Sequence, residues 1–144
     1  MDAAAIAAML AEDRREWAAL CATLDAHPDG ALHDPESPEW TARDVYAHLA
    51  RWIAHSTGDL EAVLAGRGIQ VIEGSDDDTI NARWQAEDSG LSLGDARARA
   101  RRAFDRRIAA IEAVPRDRWN PALDAIAHAD DAKHFRAHRE YIRV

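Results

Sequence analysis

The chain has a single cysteine, Cys21. No internal disulfide can form, no cysteine-pair zinc or redox site can be built, and the chemistry suits a reducing cytosol. It also has a single lysine, Lys133, and arginine supplies the rest of its 18 basic residues. Against 26 acidic residues these leave a formal charge of −8. That balance repels a phosphate backbone, and no basic patch with interleaved aromatics offsets it, so a nucleic-acid partner is not expected. No apolar run approaches the roughly 18 residues a membrane span needs, and the N-terminal alanines carry acids among them. Neither a signal peptide nor a membrane association is expected, and the chain reads as cytoplasmic. A glycine-rich phosphate loop, a His-Glu-x-x-His pair and a nucleophile elbow are all missing as well.

What is present is an ordinary globular balance. The 144 residues are 47% hydrophobic and 31% charged, enough for one domain over 1–144 with its own core. From Ala3 to Ala26, the residues Ile6, Met9, Leu10, Trp17, Leu20, Cys21 and Leu24 recur at three- and four-residue steps. Glu12, Asp13, Arg14 and Arg15 fill the polar gap between them, which is the pattern of an amphipathic helix. His27-Pro28-Asp29-Gly30 ends it, and residues 28–40, with Pro28, Pro35 and Pro38, read as loop. Thr41 with Asp44 makes a capping box, Trp40 before it serves as a staple, and a second helix is expected to about Ala65. Its apolar stripe carries Val45, Leu49, Trp52, Leu60 and Val63, with His48 among them, and Gly66 and Gly68 stop it.

Residues 66–78 read as extended loop packed on the helices, because Ile69, Gln70, Val71 and Ile72 have no partner strand elsewhere. A short helix follows over 79–88. Ser92 with Asp95 then caps a long helix that ends near Pro115, with Leu93, Ala96, Ala100, Phe104, Ile108 and Ile111 on its apolar face. Arg97, Arg99, Arg101, Arg102, Arg106 and Arg107 mostly fall on its other faces and read as solvated. The last helix, 122–142, is expected to be broken or capped near Asp130 and Asp131. Four long helices that each bury one face, one short helix and no sheet make an all-α four-helix bundle with the short helix in a crossover.

The chemistry in this chain rests on histidine, of which there are seven. His134 and His138 stand four apart on a helix face that Phe135, Tyr141 and Ile142 turn inward, so both rings can hold one metal ion. His48 lies on the inward stripe of the second helix and is the third candidate ligand, with His55 as its substitute seven residues on. Two readings stay open for these rings. They are structural histidines satisfied by backbone carbonyls, or they are a three-histidine set with an open coordination position for water or thiolate. Zinc, nickel, iron and manganese all suit such donors. His128 is off this face, and His27 and His33 sit in or beside a loop. Asp131, three residues before His134, reads as a surface acid, with a role behind His134 as the competing reading. Asn81 and Trp84 read either as packing and capping residues or as lining of a cavity.

EWTARDVYAHLARW, residues 39–52, resembles the second-helix motif of the DinB/YfiT-like family, which is unrelated to the DNA polymerase sharing the DinB name. HFRAHREYI, residues 134–142, resembles its last-helix motif, and DTINARW, residues 78–84, is similar to the third-helix region of the ClbS/DfsB-like branch. In this order the three motifs cover residues 40–142. The resemblance implies an up-down-down-up course, a homodimer, and a divalent-metal triad at His48, His134 and His138. Characterised relatives of this kind use a metal to activate a low-molecular-weight thiol for transfer, to isomerise maleylpyruvate with such a thiol, or to open a reactive electrophile. The isomerases carry a further C-terminal domain absent from this sequence, so that reaction is not expected. The implied function is a metal-dependent thiol S-transferase or hydrolase of a small molecule. The alternative is a small-molecule-binding or resistance protein of the same fold in which the metal only supports the structure or is absent.

Overall fold

The structure, a computed structural model, describes residues 1–29, 40–69, 72 and 76–142. Gly30, His33, Pro35, Pro38, Gln70 and Val71, named above in loop readings, lie outside these residues. The described elements are α1 (Ala3–Ala26), α2 (Ala42–Leu64), α3 (Asp77–Glu87), α4 (Leu93–Glu112), a 3-10 turn (Arg116–Arg118), α5 (Pro121–Ala127) and α6 (Ala132–Tyr141). Each main helix begins on a side chain that satisfies an otherwise unpaired backbone donor. Asp2 accepts from the Ala5 N–H at 2.8 Å and Ser92 from the Asp95 N–H at 3.0 Å. At the start of α2 the Thr41 N–H and hydroxyl both donate to the Asp44 carboxylate. The end of α2 is a Schellman turn, with Arg67 N–H on the Ala62 carbonyl and Gly66 N–H on that of Val63. That turn needs Gly66 at φ 74°, where a side chain would be strained.

Side-chain bonds fix the course of the bundle. Asp25 near the end of α1 meets Tyr46 near the start of α2, so these two helices run antiparallel. Arg43 and Glu61 of α2 meet Asp88 and Arg106, so α2 and α4 are parallel, and the connection carrying α3 crosses between them. Glu12 and Glu16 of α1 bind Arg136 and Arg139 in the same chain order, which makes α1 and α6 parallel. The course is up-down-down-up. At its centre Trp17 stacks on Phe104 at 4.8 Å between centroids, and Phe135 meets both rings edge-on. Burying each such ring removes apolar area worth about 2–3 kcal/mol from water.

Four sequence expectations change in detail. Asp13 and Arg107, both placed on polar faces, are 0% and 2% exposed and form a buried pair at 2.8 Å. Asp13 also accepts the Ala132 N–H at 2.9 Å, so one carboxylate ties α1 to α4 and to the first turn of α6. Periodicity assigned both residues to the polar side because a spacing rule cannot see that two helices bring opposite charges together. Trp52 and Val63 are only partly buried, whereas Tyr46 and Ile53 are fully buried. Ile69 is 54% exposed and not packed on the helices. The break in the last helix is complete: α5 ends at Ala127, and α6 starts afresh on Asp131, which accepts the Lys133 N–H at 3.0 Å.

Candidate metal centre

His48 comes from the second turn of α2, and His134 and His138 come from successive turns of α6. Each helix fixes its ring for an ordinary reason. Val45 and Leu49 anchor the face of α2 that carries His48, and Phe135, fully buried, turns α6 so that positions 134 and 138 look toward α2. One ring nitrogen from each histidine lies within 4.8 Å of the other two. The closest pair is His134 Nε2 and His138 Nε2 at 3.0 Å. The His48 ring centroid is 4.8 Å from that of His138 and 5.6 Å from that of His134. Trp40 packs against His48 and lies nearly parallel to His138, so aromatic surface closes one side of the cluster.

The local electrostatics keep two of these rings neutral. Burial pushes the His48 imidazole down to about 3, with the nearby His134 adding to the effect and Asp130 opposing it. His138 is driven well below the ordinary histidine value by burial first, then by His48 and His134. A neutral ring is the form that binds a metal. Three imidazole nitrogens converging beside open space fit a borderline divalent ion such as zinc, nickel, iron or manganese. Among the described residues the buried His138 Nδ1 has no hydrogen-bond partner.

Behind His134 stands Asp130, whose Oδ1 is 3.0 Å from His134 Nδ1. Burial raises the Asp130 pKa, but the hydrogen bond from His134, with help from Ser56 and Arg107, outweighs it and leaves the carboxyl below its usual value. Sequence reasoning considered Asp131 for this place. Asp131 instead caps α6 and bonds His128 at 3.0 Å, and it is buried rather than a surface acid. Asp130 precedes His134 by one helical turn, a spacing that could have found it, but it lies in the turn between α5 and α6, where helical spacing has no authority.

The cluster opens on a cavity of about 990 Å³ between α2, α3 and α6. Trp40, Trp52 and Tyr141 supply its aromatic lining; Ser56, Asn81, Gln85 and Lys133 line it too, together with the carboxylates of Asp59, Asp77, Asp78 and Asp130. Asn81 accepts a hydrogen bond from Trp52 Nε1 at 2.7 Å, so it both packs and lines the cavity. Trp84 stacks edge-on against Trp52 behind that wall, outside the lining. His55 does not join the cluster; it faces the same cavity, its Nε2 3.3 Å from Asp59. His27 and His128 lie apart from it, on the surface or paired with Asp131.

A family described as mycothiol maleylpyruvate isomerase N-terminal domain matches residues 5–139. Two solved structures share the fold. An uncharacterised protein from Escherichia coli UTI89 is 14% identical, with 96% of each chain covered and a TM-score of 0.76. The protein titled sibling lethal factor precursor DfsB is 19% identical, with 96% of this chain and 92% of that one covered and a TM-score of 0.71. No curated protein matches the chain in sequence. Among the described residues no helix is long and apolar enough to cross a membrane.

Proposed function

Because the chain belongs to the mycothiol maleylpyruvate isomerase N-terminal domain family, within the DinB/YfiT-like superfamily of four-helix bundles, we propose that it is a divalent-metal-dependent enzyme acting on small molecules. The reactions are transfer of a low-molecular-weight thiol to an electrophile, or hydrolysis of one. The observation that carries this reading is the convergence of His48, His134 and His138 on a cavity large enough for such a pair of reactants. Mycothiol in the family's description supports the thiol arm.

When bound, the ion would supply Lewis acidity, lowering the pKa of a water or thiol beside it. The protein's own groups do the rest. The three imidazoles would hold the ion, each through an unprotonated ring nitrogen. Trp40 and Trp52 exclude water from one flank and offer apolar surface to the substrate. Asn81 and Gln85 can orient polar substrate groups at the cavity wall, where Lys133 stands among the carboxylates of Asp59, Asp77, Asp78 and Asp130. The proposal includes one functional domain, a cytoplasmic home and a homodimer, the last tested by light scattering of the purified protein.

A second reading has support of its own. The cluster joins α2 to α6, so a bound ion could serve as a clamp in a protein that sequesters a small molecule. Elemental mass spectrometry on untagged protein purified without chelator tests the metal, beside a His134→Ala/His138→Ala double variant. Near one ion per chain in the wild type and none in the variant supports the site. No ion in either, even after reconstitution with zinc, nickel or manganese, defeats the enzyme reading. Circular dichroism of the variant then separates the roles: an active site loses the ion and keeps its helicity, whereas a clamp loses both.

A further inference from the structure

His134 sits between two partners, and in the neutral ring its two nitrogens have different roles. Its Nδ1 lies 3.0 Å from Asp130 Oδ1, and its Nε2 lies 3.0 Å from His138 Nε2. An ionised carboxylate only accepts hydrogen bonds, so the proton between Asp130 and His134 belongs to Nδ1. In a neutral ring that leaves Nε2 with its lone pair, pointing into the cluster. His138 then donates its own Nε2 proton to that lone pair, and its buried Nδ1 is the unprotonated nitrogen. The absence of any partner for His138 Nδ1 among the described residues agrees with this assignment, since a bare acceptor is the less costly orphan.

From this network we infer that Asp130 is the positioning residue of the cluster: it sets the tautomer of His134 and presents Nε2 as a ready donor atom. The inference rests on the metal-binding reading for its functional meaning, but the tautomer is a property of the metal-free chain. Asp130 suits the task because it is itself held. It is 6% exposed, and it stands in the turn that the Asp13 carboxylate secures through the Ala132 N–H. A carboxylate behind a ligating histidine fixes the ring's orientation and raises its basicity, and losing one lowers metal affinity about 10- to 100-fold. Among the described residues His138 has no such partner. Its Nε2 proton must leave or move to Nδ1 before that nitrogen can bind an ion, so the two neighbouring rings enter coordination by different routes. His134 is prepared beforehand and His138 has to rearrange.

Two measurements on wild type, Asp130→Asn, Asp130→Ala and Asp131→Ala proteins test this. In the metal-free state, imidazole ¹⁵N chemical shifts read the tautomer of each ring directly. His134 is expected as the Nδ1–H form in the wild type, largely retained in Asp130→Asn, whose amide oxygen can still accept, and lost in Asp130→Ala. Asp131→Ala removes the α6 cap, so it should lower the melting temperature without moving the His134 tautomer. Zinc titration against a chromogenic chelator should then rank affinity as wild type, Asp130→Asn, Asp130→Ala, with the last about 10- to 100-fold weaker. An Nε2–H form of His134 in the wild type, or the same tautomer in Asp130→Ala, overturns the inference. So does zinc affinity in Asp130→Ala within twofold of the wild type. A wild type that binds none of zinc, nickel and manganese yet shows the expected tautomers would sink the proposed function and leave the role of Asp130 standing.

Discussion

His48 and His138 are imidazoles whose charged forms folding has made expensive, and this has a direct consequence for acid stability. The unfolded chain protonates both near the ordinary value of 6.5, whereas the folded chain resists, with His48 brought down to about 3 by burial. Between those values the unfolded state binds more protons than the native one. The stability is therefore complete above 6.5 and is lost as the pH falls through that window. In metal-free protein the urea midpoint should drop steadily from pH 7 to pH 5. His48→Gln should flatten the slope by roughly 1 kcal/mol per pH unit. An unchanged slope in that variant would mean the His48 ring is solvated after all. At this scale the sequence was informative about ligand candidates, because an inward histidine on an apolar stripe is visible as spacing. It was uninformative about Asp130, whose role depends on a turn between two short helices, and it offered the neighbouring Asp131 for that place only as the competing reading to a surface acid.

The helices owe their relative placement to one buried contact more than to any surface bridge. Asp13 links α1 to α4 through Arg107 and to α6 through the Ala132 N–H. Burial pushes the Asp13 carboxyl upward against the pull of the guanidinium, so the pair is held together by geometry and hydrogen bonding rather than by a comfortable medium for charge. Asp13→Ala would leave Arg107 buried without its partner and should cost about 3–5 kcal/mol in denaturant unfolding. Arg14→Ala, one position along, breaks an exposed bridge to Glu112 and should cost at most about 1 kcal/mol. Equal losses in the two variants would refute the assignment. Caps and breakers made most helix boundaries readable, from Thr41 and Ser92 to Gly66, whereas the Asp2 cap went unread. The buried pair was not readable, because amphipathic spacing treats every charge as outward.

For the whole molecule, a ligand that binds only the folded state adds its binding energy to stability. Zinc or nickel at about 100 times its Kd should stabilise the protein by about 2.7 kcal/mol, a rise in melting temperature of roughly 10 °C for a chain of this size. The His134→Ala/His138→Ala variant should show no rise, as followed by differential scanning calorimetry. If both respond alike, the ion acts elsewhere on the acidic surface. The bundle itself was legible at this scale: four apolar faces and no strand pair permit few other architectures. The parallel pairing of α1 with α6 was available only through family resemblance, since nothing in periodicity says which helices become neighbours.

That pairing also sets the order in which the molecule can come into being. An up-and-down bundle can zip from one hairpin to the next as it leaves the ribosome. Here α1 waits for a partner that emerges near residue 132, and α2 waits through the crossover for α4. Contacts between such distant stretches raise the contact order and slow folding relative to a simple bundle. Trp40 and His48, whose rings pack against His138, stay uncovered on that side until α6 is synthesised, which makes the nascent chain most vulnerable to association with other chains just before its two remaining cluster histidines arrive.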